Sequence, residues 1–491
     1  MKHSATPPRP ASRSTSGSTT GAFAALLLAV LSFSLLQTFV VPALPELRAD
    51  LGADTTTASW VISAFLVSSS VGTVILGRLG DLFGRRRLML VSLGILALGS
   101  LLAALSGSIG VLIAARAVQG LGAGTFPLAF GLVRETFPRE RVPVVIGTIS
   151  AVFGIGFGLG LVLPGPLIDA FGWESLFWAS LILVLVAAAA VLAFIRVPAQ
   201  LARGRVDMAG AALLSVALVA LLLAISQIRV WGTLPVVVLT GVAVAAFAAF
   251  LVLENRLTAP LMNLTILRRR PVVAANLTAL IIGFGMYGAF TLVPQLVQTP
   301  PSAGYGFGAS TTEAGLYLLP MAVTMLFAGP LAGRLGPGLG WTNALVVACL
   351  VGAAGFGLLA AGRDVGWAIA TGAGVIGVGI GFAFSALANV VVAAVEPHET
   401  GEATGVNTIV RTIGGAFGAQ AAAAIVTADT LPGSGIPEPA GYTVAFAVSA
   451  LALAAAAPAA LIGRRRGGGN GGNGAGAPGA SAGAEHEGVA R

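Results

Sequence analysis

Solid apolar runs, each as long as a membrane span, recur along almost the whole chain, and short polar segments between them carry most of its charge. The run ASWVISAFLVSSSVGTVIL (58–76) gives way to GRLGDLFGRRR (77–87), and LMLVSLGILALGSLLAAL (88–105) follows at once. Apolar runs of about 18 residues or more are long enough to cross a bilayer as helices. Lipid offers the backbone no hydrogen-bond partners, so each span must satisfy its own polar groups, as a helix does. A membrane β-barrel would show apolar–polar alternation instead. The pattern predicts fourteen spans, near 22–45, 58–77, 88–106, 109–133, 142–168, 174–195, 208–227, 233–253, 272–297, 312–333, 343–361, 366–394, 401–427 and 440–463. The expected fold class is an all-α polytopic membrane protein.

Composition agrees. The 491 residues are 56% hydrophobic and 9% charged, whereas soluble domains are about a quarter charged. The net charge of +8 comes from one lysine, Lys2, and 26 arginines. Their distribution speaks for topology and against nucleic-acid binding. With both termini placed in the cytoplasm, 22 of the 27 basic residues fall in cytoplasmic segments and three (Arg48, Arg229, Arg363) in external loops, while Arg116 and Arg411 lie inside spans. Such a split is what the positive-inside rule requires. The six tryptophans, at 60, 173, 178, 231, 341 and 367, fall near span ends, where interfacial belts form. The polar N-tail (1–20) and the Gly-rich C-tail (465–491) read as disordered and cytoplasmic. The first apolar run lacks an A-x-A-like site and is not read as a cleaved signal peptide. Cys349 is the single cysteine, so no intramolecular disulfide is possible.

GRLGDLFG (77–84) is echoed by GRLGPGLG (333–340), 256 residues on. Each copy follows the second span of a six-span group, which points to duplicated halves, as in many secondary transporters. The expected organisation is an N-terminal half (21–196), an inserted helix pair with its linkers (197–270) and a C-terminal half (271–464).

At these residues the chain resembles the major facilitator superfamily and, within it, the fourteen-span drug:proton antiporters of bacteria. The family's loop signature, G-x-L-a-D-x-x-G-R-[KR], is met by Gly77, Leu79, Gly80, Asp81, Gly84, Arg85 and Arg86. The fourth-span signature is met by RAVQGLGAG (Arg116 to Gly124), and the antiporter-type fifth-span signature by GIGFGLGLVLPGP (Gly154 to Pro166). Glu174 stands where the family usually has a basic residue or His. Leu36 stands where many members carry a first-span aspartate associated with cationic substrates or proton handling. The resemblance implies two six-helix halves that expose a central site alternately to either side, with export driven by entering protons.

Each candidate residue has a functional and a plain reading. Asp81 and Arg85, placed by Gly77, Gly80 and Gly84, form a latch across the halves or a solvated, positive-inside loop. Arg116 and Arg411, charges at membrane depth, take part in proton coupling or pack structurally. Glu313, at the outer start of the tenth span, is the remaining protonatable candidate. Gly120, Gly124, Gly154, Gly158, Pro164, Gly165 and Pro166 serve as hinge or gate, or as small residues that let helices pack closely. Gln37, Thr38, Asn276, Gln295 and Asn389 line a substrate cavity or bond between helices. No strand–turn–helix context surrounds the glycines, so a nucleotide site is not expected. His3, His398 and His486 lie outside the spans; no metal cluster, cofactor or nucleophile–base pair is expected, and hence no enzyme. The expected function is proton-coupled export of amphipathic small molecules by a lipid-embedded monomer in the bacterial inner membrane. The alternative is a facilitator or importer of another small solute on the same fold.

Overall fold

The computed structural model describes residues 16–53, 55–196, 207–228, 231–257, 264–429, 431 and 436–462. The helices are α1 (Ser16–Thr38), α2 (Val40–Asp50), α3 (Thr55–Phe83), α4 (Arg85–Ala104), α5 (Ile109–Leu121), α6 (Thr125–Thr136), α7 (Val142–Val162), α8 (Pro164–Phe171) and α9 (Glu174–Phe194). They continue with α10 (Met208–Ser226), α11 (Thr233–Glu254), α12 (Leu264–Leu267), α13 (Arg270–Gln298), α14 (Thr311–Leu339), α15 (Trp341–Gly362), α16 (Gly366–Ala394), α17 (Thr400–Val426) and α18 (Pro439–Leu461). No β-strand occurs among the described residues.

Thirteen helical segments among the described residues are long and apolar enough to cross a membrane. The segment expected at 208–227 is a shorter apolar helix, Ala209–Ile225. Some spans comprise two helices. The first, Thr19–Leu44, runs through α1 into α2, and the fourth, Ile109–Thr136, joins α5 to α6 through a 3₁₀ turn at Gly122–Gly124. α7 gives way to α8 at Leu163–Pro164, where the proline ring supplies no N–H to continue the ladder. Both expected tails fall largely outside the described residues, as do Arg229 and most of the linkers around α10 and α11.

Helices α1 to α9 form one group and α13 to α18 the other, each packing chiefly within itself except α7, which packs mainly on α14 and α16 of the other group. α10 lies outside this body against α3 and α17, where Ala211, Leu214 and Leu218 pack with Val74 and Ile409. α11 packs on α10, and Trp60 of α3 meets Trp231 ahead of α11 at 5.7 Å between ring centroids.

Two seams join the groups: α3 and α6 against α17, and α7 against α14 and α16. They are related by the sequence echo. A Cβ on Gly77 would sit 3.0 Å from the Gly401 carbonyl oxygen at the start of α17, and one on Gly333 would sit 2.6 Å from the Pro143 oxygen at the start of α7. Gly84 and Gly340 both take positive φ, 96° and 79°, linking α3 to α4 and α14 to α15. The echo is therefore a repeated helix–turn–helix with the same close approach. α7 uses two glycine faces, each spaced i, i+4 as helical periodicity demands. Gly154 and Gly158 face Met325 and Ala322 of α14, whereas Gly156 and Gly160 face Ser34 and Thr38 of α1.

Candidate functional site

The stretch 77–87 forms one end of the α3–α17 seam. Asp81 and Arg85, four residues apart across the Gly84 turn, are 0% and 1% exposed. Arg85 donates to Asp81 Oδ1 from Nη2 at 2.6 Å and from Nε at 3.0 Å. Asp81 Oδ2 accepts from the Glu402 backbone N–H at 3.2 Å. Glu402 lies in the first turn of α17, where unpaired amides and the helix dipole favour a carboxylate. Arg85 also donates to Glu135 Oε1 (2.8 Å) and to the Pro397 carbonyl (2.5 Å). Arg78 pairs with Glu402 at 3.4 Å, and Arg134 donates to Thr400 Oγ1 at 2.6 Å. Arg86 donates to the Leu192 carbonyl, and Arg87 is exposed. Of the three consecutive arginines, one is built into the seam. In the second copy Pro337 and Trp341 stand at the corresponding places, and the Trp341 ring lies against Gly336.

Deeper between the groups lie two small adjoining cavities of about 20 and 10 Å³, room for about one water each. The larger is lined from both groups. Phe33 and Gln37 come from α1, Ser69, Ser70 and Thr73 from α3, Tyr287 from α13 and Arg411 from α17. Gln37 Nε2 donates to the Tyr287 hydroxyl at 2.7 Å, bridging the groups. Arg411 lines both cavities. Its guanidinium lies 4.4, 5.4 and 5.5 Å from the ring centroids of Phe384, Phe153 and Phe126.

The other expected cavity residues fall elsewhere. Thr38 is buried and faces Gly160 of α7. Asn276 accepts from Asn407 Nδ2 at 2.9 Å between α13 and α17. Asn389 donates to the Ser385 carbonyl (2.8 Å) and across the seam to the Pro143 carbonyl (3.5 Å). Gln295 is exposed. For these four, helix-to-helix contact or the surface won over the cavity. Gly120 and Gly124 face Phe65 and Leu76 of α3, inside one group, and Gly165 faces Thr312 across the α7–α14 seam. Pro164 and Pro166 sit in the first turn of α8.

Two coupling candidates have structural settings that differ from an acid–base pair. Arg116 has no carboxylate within 4 Å among the described residues. It donates to the Val61 carbonyl (3.1 Å), the Leu36 carbonyl (3.0 Å) and Gln119 Oε1 (2.7 Å), and stacks over Phe65 at 4.2 Å. The side chain thus ties α5 to α1 and α3. Arg116→Leu is expected to lower the unfolding temperature in detergent, because each lost hydrogen bond to a charged group is worth about 1.5–3 kcal/mol; an unchanged melting curve would refute this tie.

Glu313 is exposed at the start of α14, where it forms a capping box: its Oε2 accepts from Ser310 N at 2.8 Å, and Ser310 Oγ accepts from Glu313 N at 3.2 Å. The protonatable candidate at the outer start of the tenth span is thus placed as a helix cap, since an acid three residues after a serine satisfies two orphan amides. Glu313→Gln is expected to change transport less than about twofold, because glutamine also serves a capping box. A large loss in a vesicle assay would restore the acid role. Glu174 opens α9 near a further acidic group, in which burial and then Asp50, Asp169 and Glu174 raise the Glu46 carboxyl above its usual range.

Sequence reasoning missed Glu135, Glu402, Tyr287 and the three phenylalanines around Arg411. It also missed Gly147 and Gly329, whose backbones meet across the α7–α14 seam. Among 67 glycines, nothing local marks those two. Glu402 had a signal, as an acid just after the Pro397 helix start.

A helical multi-pass body, with two helix groups that share buried cavities and are clasped along two seams, defines a class of membrane protein. The chain belongs to the Major Facilitator Superfamily, whose family model matches residues 26–419. It is 31% identical over 411 residues to the tetracenomycin C resistance and export protein of Streptomyces glaucescens, covering 80% of this chain and 73% of that one. It is 27% identical over 409 residues to the multidrug transporter protein MdtP of Bacillus subtilis, covering 82% and 74%. An uncharacterised MFS-type transporter of Mycobacterium tuberculosis is 36% identical over 326 residues, 64% of this chain; the match spans about half of that relative, 46%. The solved human organic anion transporter MFSD10 shares the fold at a TM-score of 0.64 and 19% identity, over 90% of this chain and 99% of that one.

Proposed function

We propose that this chain is a proton-coupled antiporter that exports hydrophobic or amphipathic small molecules across the bacterial inner membrane by alternating access. The observation that carries this reading is the buried cavity lined by both helix groups, with an ion-paired latch closing the seam at one end. The Streptomyces and Bacillus relatives, an export protein and a multidrug transporter by name, support it. Residues 21–196 and 271–464 act as two six-helix halves. Residues 197–270 supply an inserted pair, α10 and α11, which brings the count to fourteen spans as in the fourteen-span drug:proton antiporters. Both termini and the Asp81 loop face the cytoplasm, as the arginine distribution favours, and the protein works as a monomer in lipid.

In the cycle, the latch holds the cytoplasmic end shut while the outer end opens. Asp81, Glu135 and Glu402 are its buried carboxylates. Protonating one of them removes an ion pair and loosens the α3–α17 seam, which gives entering protons a route to the conformational change. The α7–α14 glycine seam lets the halves rock while staying in contact.

The test uses everted membrane vesicles and a panel of anionic, neutral and cationic fluorescent dyes, with and without an imposed pH gradient. Uptake of at least one dye only with the gradient is expected. Equilibration that ignores the gradient would overturn antiport and favour a facilitator.

A further inference from the structure

We infer that the cavity between the helix groups, which holds about one water in the closed arrangement seen here, takes a planar aromatic anion when the groups part, held by Arg411 and stacked among the surrounding phenylalanines. The inference rests on the exporter reading and names its substrate class.

Arg411 stands apart from the other buried arginines. Arg85 has two carboxylates within ion-pair distance. Arg116 donates to three oxygens. Arg411 is 5% exposed and has no carboxylate within 4 Å among the described residues; its close neighbours are the faces of Phe384, Phe153 and Phe126. Ring faces attract a cation, but they compensate a buried charge less fully than a carboxylate does. A guanidinium left in that condition at membrane depth, lining a cavity, is a docking point for an anion.

The rest of the lining narrows the class. No aspartate or glutamate lines either cavity, and the first-span position next to Gln37 is the apolar Leu36. A cationic substrate would meet Arg411 with no counter-charge. The apolar walls are aromatic and continuous: Phe153 stacks with Phe33 at 6.3 Å, and Phe33 with Phe65 at 6.2 Å. Phe65 in turn lies under Arg116. Flat ring faces favour an aromatic partner in offset or edge contact. The Gln37–Tyr287 pair in the same lining supplies polar contacts for substituents.

The test compares two naphthalene probes of equal shape and fixed, opposite charge: 2-naphthalenesulfonate and N,N,N-trimethyl-2-naphthylammonium. Binding to the purified protein is measured by equilibrium dialysis, and transport in proteoliposomes with a pH gradient. The wild type is expected to bind the sulfonate about tenfold or more tightly than the ammonium, the ratio that one hydrogen bond to a charged group confers. Arg411→Gln should remove that preference, weakening the sulfonate and, with the like charge gone, binding the ammonium at least as tightly as the wild type does. Arg411→Lys, which keeps the charge, should retain part of it and shows that the loss is not a loss of fold. Phe384→Leu should weaken the sulfonate several-fold. Equal or tighter ammonium binding by the wild type, or an Arg411→Gln protein that keeps the preference, would overturn the proposal. Gradient-driven ammonium transport without sulfonate binding would overturn the substrate class and leave the exporter reading intact. Sulfonate binding without gradient-driven movement would uphold the class and sink the exporter. Binding of neither probe would overturn the assigned class.

Discussion

Asp81→Asn should reduce gradient-driven transport in everted vesicles to background while the protein still inserts in the membrane. One oxygen of Asp81 takes two donors from Arg85, and the other takes the Glu402 amide across the seam. Asparagine keeps the shape and removes the charge. Arg85, 1% exposed, would then keep only Glu135 as a charged partner. Breaking a buried ion pair costs about 3–5 kcal/mol, and the end states of such switches differ by only a few kcal/mol. The mutant should therefore rest with the α3–α17 seam parted at this end. A cysteine at position 404 in a Cys349→Ala background reports this directly, since Thr404 is 2% exposed beside the latch. Its alkylation should rise strongly in Asp81→Asn. Retained transport with unchanged labelling would reduce the whole stretch 77–87 to a basic anchor.

Gly147→Leu should abolish transport equally, by a steric route. A Cβ at 147 would lie 2.3 Å from the Gly329 carbonyl oxygen and 2.8 Å from Ser385 Oγ. The carbonyl belongs to a helix and cannot rotate away, so α7 must part from α14 and α16. The packing inside each group does not use this face, so both groups should still fold. Gly154→Ala is the control. Its Cβ would meet Met325 Cε, the end of a flexible side chain, which can move to another rotamer. Gly154→Ala should keep most of the transport. Equal loss in both variants would mean that the seam cannot be read from backbone approach alone.

The contrast between Asp81 and Arg411 shows how far the chain could be read unaided. Asp81 and Arg85 sit four residues apart in a dense, recognisable motif, and the partner helix begins with a signal of its own. The latch was therefore legible as a hypothesis, down to the carboxylate at a helix N-terminus. Arg411 was legible only as a costly charge at membrane depth. Its meaning depends on Phe126, Phe153 and Phe384, three unremarkable positions in three different spans. Glu313 shows what local spacing adds. An acid near a span end looks protonatable, yet the local Ser310–Glu313 spacing makes it a helix cap, a reading already available in the four residues themselves.

Hydropathy, the arginine distribution and the repeated GRLG motif determined the membrane class, the approximate spans and a helix–turn–helix that recurs at 77–84 and 333–340. All three are properties of contiguous segments, set by the free energy of placing apolar or charged residues in lipid. Which side chains meet across the seams was decided only by the tertiary structure. The Asp81–Glu402 contact joins residues 321 apart, and Gln37–Tyr287 joins residues 250 apart. Apolar helices in lipid carry little information about their neighbours, because most of their faces are equally at home against lipid tails. What selects the partners is close backbone approach at a few glycines and the satisfaction of a few buried charges, and both exist only once the helices are assembled.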